Sequence, residues 1–227
     1  SGLQRALAAA GERVPPALAL TIIDAVLEAL DYAHLRRDPG SGQSLDIVHR
    51  DVSPQNVMLA LSGAVKLIDF GLVTSALKTE QTVGGLVAGK LGYMSPEQAR
   101  GEQLDARTDV YAAGVLLFEL VTGQRFYREL GKNAIMLHLT DGSWMPQLDD
   151  VPAVLRAPLA HALAPERAHR SPSAAALQAE LAAAERTRAT PRELRALLER
   201  MVPDERERLA AIMRGAVSAR VSTADDV

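Results

Sequence analysis

Three side chains in one short stretch could do chemistry together. Asp51 and Asn56 stand five apart in HRDVSPQN (residues 49–56), and Asp69 follows just before Phe70 and Gly71. Two carboxylates and an amide suit the transfer of a phosphoryl group. That reaction needs little covalent help from a protein. It needs phosphate charge neutralised, an attacking hydroxyl oriented and a rigid frame. Asp51 would accept the hydroxyl's proton, while Asn56 and Asp69 would offer oxygens to magnesium. For this the two loops must meet at one end of a domain. The β-rich runs 57–61 and 64–70, separated by Ser62 and Gly63, read as a hairpin that would bring them there.

The elements around this hairpin read as helices. Leu18, Ile22, Val26, Leu30 and Ala33 recur at helical spacing after Pro15 and Pro16, predicting a helix over 15–35. Residues 36–44 (RRDPGSGQS) read as an exposed loop, and 71–92 as a long loop without a period. Residues 109–122 are apolar almost all round and predict a buried central helix. Ser171 and Pro172 suit the opening of a helix to about residue 185. After a break at 187–191, Thr190-Pro191-Arg192-Glu193 reads as a capping box at the head of a charged helical tail, interrupted near Pro203. A solvated linker is the reading for that tail.

Composition narrows the classes. Of the 227 residues 48% are apolar, enough for a sizeable core. A net charge of −3 implies no nucleic-acid surface. With no cysteine, disulfides and thiolate metal sites are excluded, which fits an intracellular protein. His34, His138, His161 and His169 show no metal-ligand spacing, and Trp144 reads as a packing anchor. Residues 84–90 (GGLVAGK) fit the first part of a P-loop, but Leu91 follows where Ser or Thr belongs, and chance is the better explanation.

HRDVSPQN and Asp69-Phe70-Gly71 resemble the catalytic and metal loops of the eukaryotic-like protein kinases, over residues 1–186. Ser95-Pro96-Glu97 resembles the motif closing their activation segment. Asp109 resembles the buried aspartate that anchors the catalytic loop, and Arg170 the late arginine that pairs with Glu97. YMSPEQARG (residues 93–101) is most similar to bacterial serine/threonine kinases. The resemblance implies that His49 and Phe70 join a hydrophobic spine and that Met58 lies under the adenine ring of ATP. For His49 a packed, hydrogen-bonded role is preferred to a catalytic one, and burial in the core is the plain alternative for Met58 and Phe70. Arg50 beside Asp51 implies an activation loop ordered by a phosphate. Among Thr74, Ser75, Thr79 and Thr82, the candidates are Thr79 and Thr82.

Two positions depart from the family. Where it places a lysine two residues after the catalytic aspartate, this chain has Ser53. Where it places a threonine in the segment before Tyr93-Met94, this chain has Lys90. The expectation is an exchange, with Lys90 supplying the ammonium that contacts the transferring phosphate and Ser53 the hydroxyl. No glycine-rich loop or strand lysine occurs in the sequence; the resemblance places these in a small lobe expected upstream of residue 1.

The expected fold is therefore mainly α with small β-hairpins: a kinase-like large lobe over 1–186 and a charged helical tail or linker over 187–227. The expected function is transfer of the ATP γ-phosphoryl group to Ser/Thr hydroxyls of proteins in signalling, using Mg2+, with this chain inactive alone. A pseudokinase or docking module is the alternative, and an aminoglycoside-type small-molecule kinase a further one. Expected partners are a protein substrate, ATP and the small lobe, with no nucleic acid and no membrane segment. The expected location is cytoplasmic, or the cytoplasmic part of a longer membrane-anchored chain.

Overall fold

The computed structural model describes residues 14–60, 62–70, 91–143 and 147–201. These form seven α-helices and one two-stranded antiparallel sheet: α1 (Pro16–His34), β1 (Val57–Leu59), β2 (Val65–Leu67), α2 (Pro96–Ala99), α3 (Ala106–Thr122), α4 (Lys132–Asp141), α5 (Ala153–Ala162), α6 (Ala174–Ala184) and α7 (Pro191–Met201). No described helix is long and apolar enough to cross a membrane.

The centre of the fold is α3. Every residue from Thr108 to Thr122 is buried, so this helix has no solvent face, as its unbroken apolar run requires. Asp105 caps it by accepting from the Arg107 N–H. It packs against α1, α5 and α6. At Gly114 a Cβ would come within 2.9 Å of the Ala162 Cβ, so the missing side chain is what lets α5 approach. The α1 helix buries Leu20, Ile22, Ile23, Leu27 and Leu30 on a broad face. Each fully buried leucine or isoleucine contributes about 1.5–3 kcal/mol. These two helices thus supply the rigid base on which the chemistry-bearing loops rest.

The hairpin pairs Val57 with Leu67, Met58 with Lys66 and Leu59 with Val65, and its Ser62–Gly63 turn closes through Ala60 N–H to Ala64 O at 2.8 Å. Residues 36–44 are exposed but ordered: Arg37 and Ser44 form an antiparallel bridge, and the Asp38 carboxylate accepts from the Gly40 and Ser41 amides. Helix α6 is capped by Ser173, which accepts from Ala176 N–H, two residues later than the Ser171 cap that the sequence suggests. The Thr190–Glu193 capping box forms, with Thr190 N–H to Glu193 Oε2 at 2.7 Å and Glu193 N–H to Thr190 Oγ1 at 3.3 Å. Helix α7 is not a solvated element. Its Leu194 and Leu198 are 0% and 2% exposed, and Leu194 joins the hydrophobic core of the lobe, as a leucine pair four apart on an otherwise charged helix allows.

Candidate active site

The site is built outward from one buried carboxylate. Asp109 sits in the first turn of α3, where the helix dipole favours negative charge. It is fully buried, and its oxygens accept three hydrogen bonds. Oδ2 takes the His49 N–H at 2.7 Å and faces the His34 Nε2 at 2.8 Å; Oδ1 takes the Arg50 N–H at 2.8 Å. The two backbone bonds hold Arg50 at φ 67°, a left-handed conformation that costs a non-glycine residue about 1–2 kcal/mol. Charge-assisted bonds are strong enough to offset that cost. The catalytic loop is therefore pinned by main chain, leaving side chains of 50–56 for other work.

His49 is buried and connects the two motifs. Its Nδ1 accepts from the Asp51 N–H at 3.3 Å, so its Nε2 carries the proton and donates to the Ile68 carbonyl at 3.1 Å. Its ring lies 4.7 Å from that of Phe70. Asn56 donates from Nδ2 to both the Asp51 carbonyl (2.7 Å) and the Asp51 Oδ2 (3.0 Å). The amide thus orients the carboxylate that would act as base. At the open end of the hairpin, Ile68 N–H donates to Asn56 O at 2.9 Å, and Asp69 follows, exposed, at φ 57°.

These residues fit a magnesium ion. Both Asn56 bonds use its amide nitrogen, so Oδ1 is the atom left for a cation, and Asp69 presents a carboxylate to solvent. Among the described residues no group of three or more His, Cys, Asp or Glu could hold a metal by itself. Two protein ligands completed by phosphate oxygens and water are what magnesium commonly uses.

A sequence model of the protein kinase domain matches residues 2–213, a span that includes α7. The chain belongs to the protein kinase family. Similar proteins include the tyrosine-protein kinase MasK of Myxococcus xanthus, 37% identical over 166 residues, which is 72% of this chain and 26% of that one. The probable serine/threonine-protein kinase PknB of Lactococcus lactis is 43% identical over 106 residues, 47% of this chain and 16% of that one. The serine/threonine-protein kinase PknB of Mycobacterium leprae is 40% identical over 112 residues, 49% and 17% of the two chains. The chain thus spans about a quarter or less of these relatives' length.

The kinase landmarks outside the catalytic loop are also placed by contacts. Glu97 and Arg170 form a bidentate pair, Nη1 to Oε1 at 2.6 Å and Nη2 to Oε2 at 2.8 Å, with both side chains fully buried. Burial alone would raise the Glu97 carboxyl. The hydrogen bonds and charge of Arg170, aided by the Thr108 hydroxyl, outweigh it and hold the carboxyl below the usual range. Arg170 also reaches the Ala164, Pro165 and Arg107 carbonyls and lies over the Tyr111 ring at 4.9 Å. Ser53 is buried, and its Oγ has no hydrogen-bond partner among the described residues. Met58 corrects the core alternative, being 50% exposed on the outer face of β1, opposite the buried Val57. Gly71, Thr74, Ser75, Thr79, Thr82, Lys90 and Trp144 lie outside the described residues.

Three kinase contacts escape sequence reasoning. His34, with no metal spacing to mark it, touches Asp109 instead. Gln98 accepts from Ser95 N–H with Oε1 and donates from Nε2 to the Arg50 carbonyl at 2.9 Å, tying the helix after Ser95 to the catalytic loop. Glu119, buried inside α3, accepts from the Tyr93 hydroxyl and from Phe126 N–H at 3.0 Å. Burial raises its carboxyl against the pull of those donors and of Arg125. A carboxylate in an otherwise apolar helix was the available signal for Glu119. The spacing of Ser95 and Gln98, a capping box, was the signal for Gln98.

Proposed function

We propose that this chain is the large lobe of a protein kinase that transfers the γ-phosphoryl group of ATP to protein hydroxyls, serine and threonine foremost. The observation that carries the reading is the Asn56 amide bound to both the carbonyl and the carboxylate of Asp51, in a loop whose main chain is pinned by Asp109. In this reading Asp51 orients the substrate hydroxyl and takes its proton at Oδ. Asn56 and Asp69 hold magnesium, which when bound neutralises phosphate charge. Residues 1–186 constitute the lobe, 187–227 the tail, and a small lobe upstream covers the nucleotide. In this reading the lobe works in the cytoplasm, either free or as the cytoplasmic part of a longer membrane-anchored chain.

Lys90 and Ser53 exchange the roles that the family gives to lysine and threonine. The buried Ser53 Oγ, which has no hydrogen-bond partner among the described residues, supports this, since an unsatisfied buried hydroxyl costs about 1–3 kcal/mol and calls for a donor or acceptor nearby. A second reading concerns the hydroxyl. The first relative is named a tyrosine-protein kinase, and Ser53 stands where serine/threonine kinases keep lysine, so tyrosine is the competing acceptor.

The test is transfer of labelled phosphate from Mg-ATP by the complete kinase, small lobe included, followed by phosphoamino-acid analysis. Phosphoserine and phosphothreonine are expected, with loss of signal in Asp51→Asn. Phosphotyrosine alone would move the acceptor to tyrosine. Transfer to an aminocyclitol but not to protein, or full activity in Asp51→Asn, would overturn the assignment.

A further inference from the structure

The segment after α6 does more than end the lobe. Residues 185–190 run back along α1, where Arg188 pairs with Asp24 and the Ala189 N–H donates to Thr21 Oγ1 at 2.9 Å. Thr21 Oγ1 also lies 3.1 Å from the Ala189 carbonyl and 2.9 Å from the Ala17 carbonyl of its own helix, so its single proton is shared between the two. Helix α7 then starts at Pro191, seats Leu194 in the apolar core of the lobe and buries Leu198.

The start of this helix presses on the turn of the catalytic hairpin. Gly63 adopts φ 84°, and a Cβ there would lie 2.7 Å from the Pro191 carbonyl carbon and 2.8 Å from its Cα. The contact is main chain to main chain, and only glycine permits it. From that turn the hairpin runs as a hydrogen-bonded unit to Asn56 and Ile68 at its other end, where Asp69 follows. That far end is already tied to the catalytic loop through His49 and Ile68. The near end rests on Pro191.

We propose that residues 185–201 are a positioning element for the metal-holding side chains: α7, docked on α1, braces the Ser62–Gly63 turn and so sets where Asn56 and Asp69 stand. This rests on the phosphoryl-transfer reading given above. The brace acts through the hairpin and touches no reacting atom. Displacing it leaves α1 and α3 in place, and β2 keeps its packing on α1, so the loosening falls on the Ser62–Gly63 turn and on β1, which two short strands do little to stiffen. A segment held by two leucines and a few surface polar bonds opens at lower free energy than the α3 core.

The experiment uses the complete kinase with Leu194→Ser/Leu198→Ser, the conservative control Leu194→Met/Leu198→Met, and the milder Thr21→Val. Two quantities are read: the Mg2+ dependence of kcat and KM, and amide hydrogen exchange over 57–69 against 108–122. For the serine pair, the Mg2+ needed for half-maximal rate should rise roughly tenfold, the scale on which supports of metal ligands act. Hairpin amides should exchange faster while α3 amides stay protected, and the methionine pair should restore both. Thr21→Val should shift both in the same direction by less, and it serves if the serine pair fails to fold. Released α7 with unchanged hairpin exchange and unchanged Mg2+ dependence would overturn the proposal, as would a fall in kcat alone. A wild-type kinase that transfers no phosphate would instead sink the functional reading, while the exchange comparison still judges the brace.

Discussion

Arg170→Met removes the cation from an ion pair whose two side chains are fully buried, the most enclosed among the described residues. The arginine makes five hydrogen bonds: two to Glu97, and one each to the carbonyls of Ala164 (2.6 Å), Pro165 (3.0 Å) and Arg107 (3.2 Å). Methionine fills the space and supplies none of them. Glu97 keeps the Thr108 hydroxyl at 2.9 Å and is otherwise a buried charge without its cation. Breaking a buried pair from one side costs about 3–5 kcal/mol. Domain stability is typically about 5–15 kcal/mol, so the loss is a large share of the whole. Glu97 also gives the effect a pH signature. In the wild type its carboxyl is held below the unfolded value, so the stability it contributes is present above that value and is lost as pH falls through the folded one. In the variant burial is opposed only by the Thr108 hydroxyl and a backbone hydrogen bond, so the carboxyl rises, and folding is penalised at neutral pH and relieved when Glu97 takes a proton. The difference between wild type and variant should therefore be greatest near pH 7 and shrink as pH falls through about 4.3, the ordinary glutamate value. Urea unfolding at several pH values measures it. A difference below about 1 kcal/mol, the scale of an exposed pair, or one that does not change with pH, would refute the reasoning.

Asp109→Asn keeps the shape of the anchor and loses its charge; kcat should fall by about 10–100-fold, as for other groups that orient a catalytic site, with helical content by circular dichroism retained. Gln98→Glu replaces the donor to the Arg50 carbonyl with an acceptor, so kcat should drop while the KM for ATP changes little, as steady-state kinetics would show. Lys90→Met should abolish turnover with little effect on nucleotide binding by titration, and Ser53→Lys with Lys90→Thr should recover part of it; near-normal turnover in Lys90→Met would end the exchange hypothesis.

Much of this lobe is legible in local pattern. The helical period of Leu18, Ile22, Val26 and Leu30, the Ser62–Gly63 turn between two β-rich runs and the Thr190–Glu193 box each depend on residues a few positions apart. The expected helix over 15–35 is observed at Pro16–His34, and the expected hairpin pairs Val57–Leu59 with Val65–Leu67. The strands are shorter than the apolar runs because pairing needs both edges in register, which a run of residue types does not encode. Ser171 suits a cap because it precedes proline, yet the cap is Ser173, whose hydroxyl accepts from the otherwise free Ala176 N–H of α6.

The sequence by itself determined the family, through motifs whose spacing is local, and it singled out the candidate base, the candidate metal-holding pair and the buried aspartate. The tertiary structure decided what those residues touch. Gln98 reaches Arg50 across 48 positions, Arg170 reaches Glu97 across 73, His34 reaches Asp109 across 75, and Ala189 reaches Thr21 across 168. No periodicity or capping rule spans such distances. They close only when α1, α3 and α7 bury their apolar faces together, because that packing fixes the backbones from which the polar groups must then find one another.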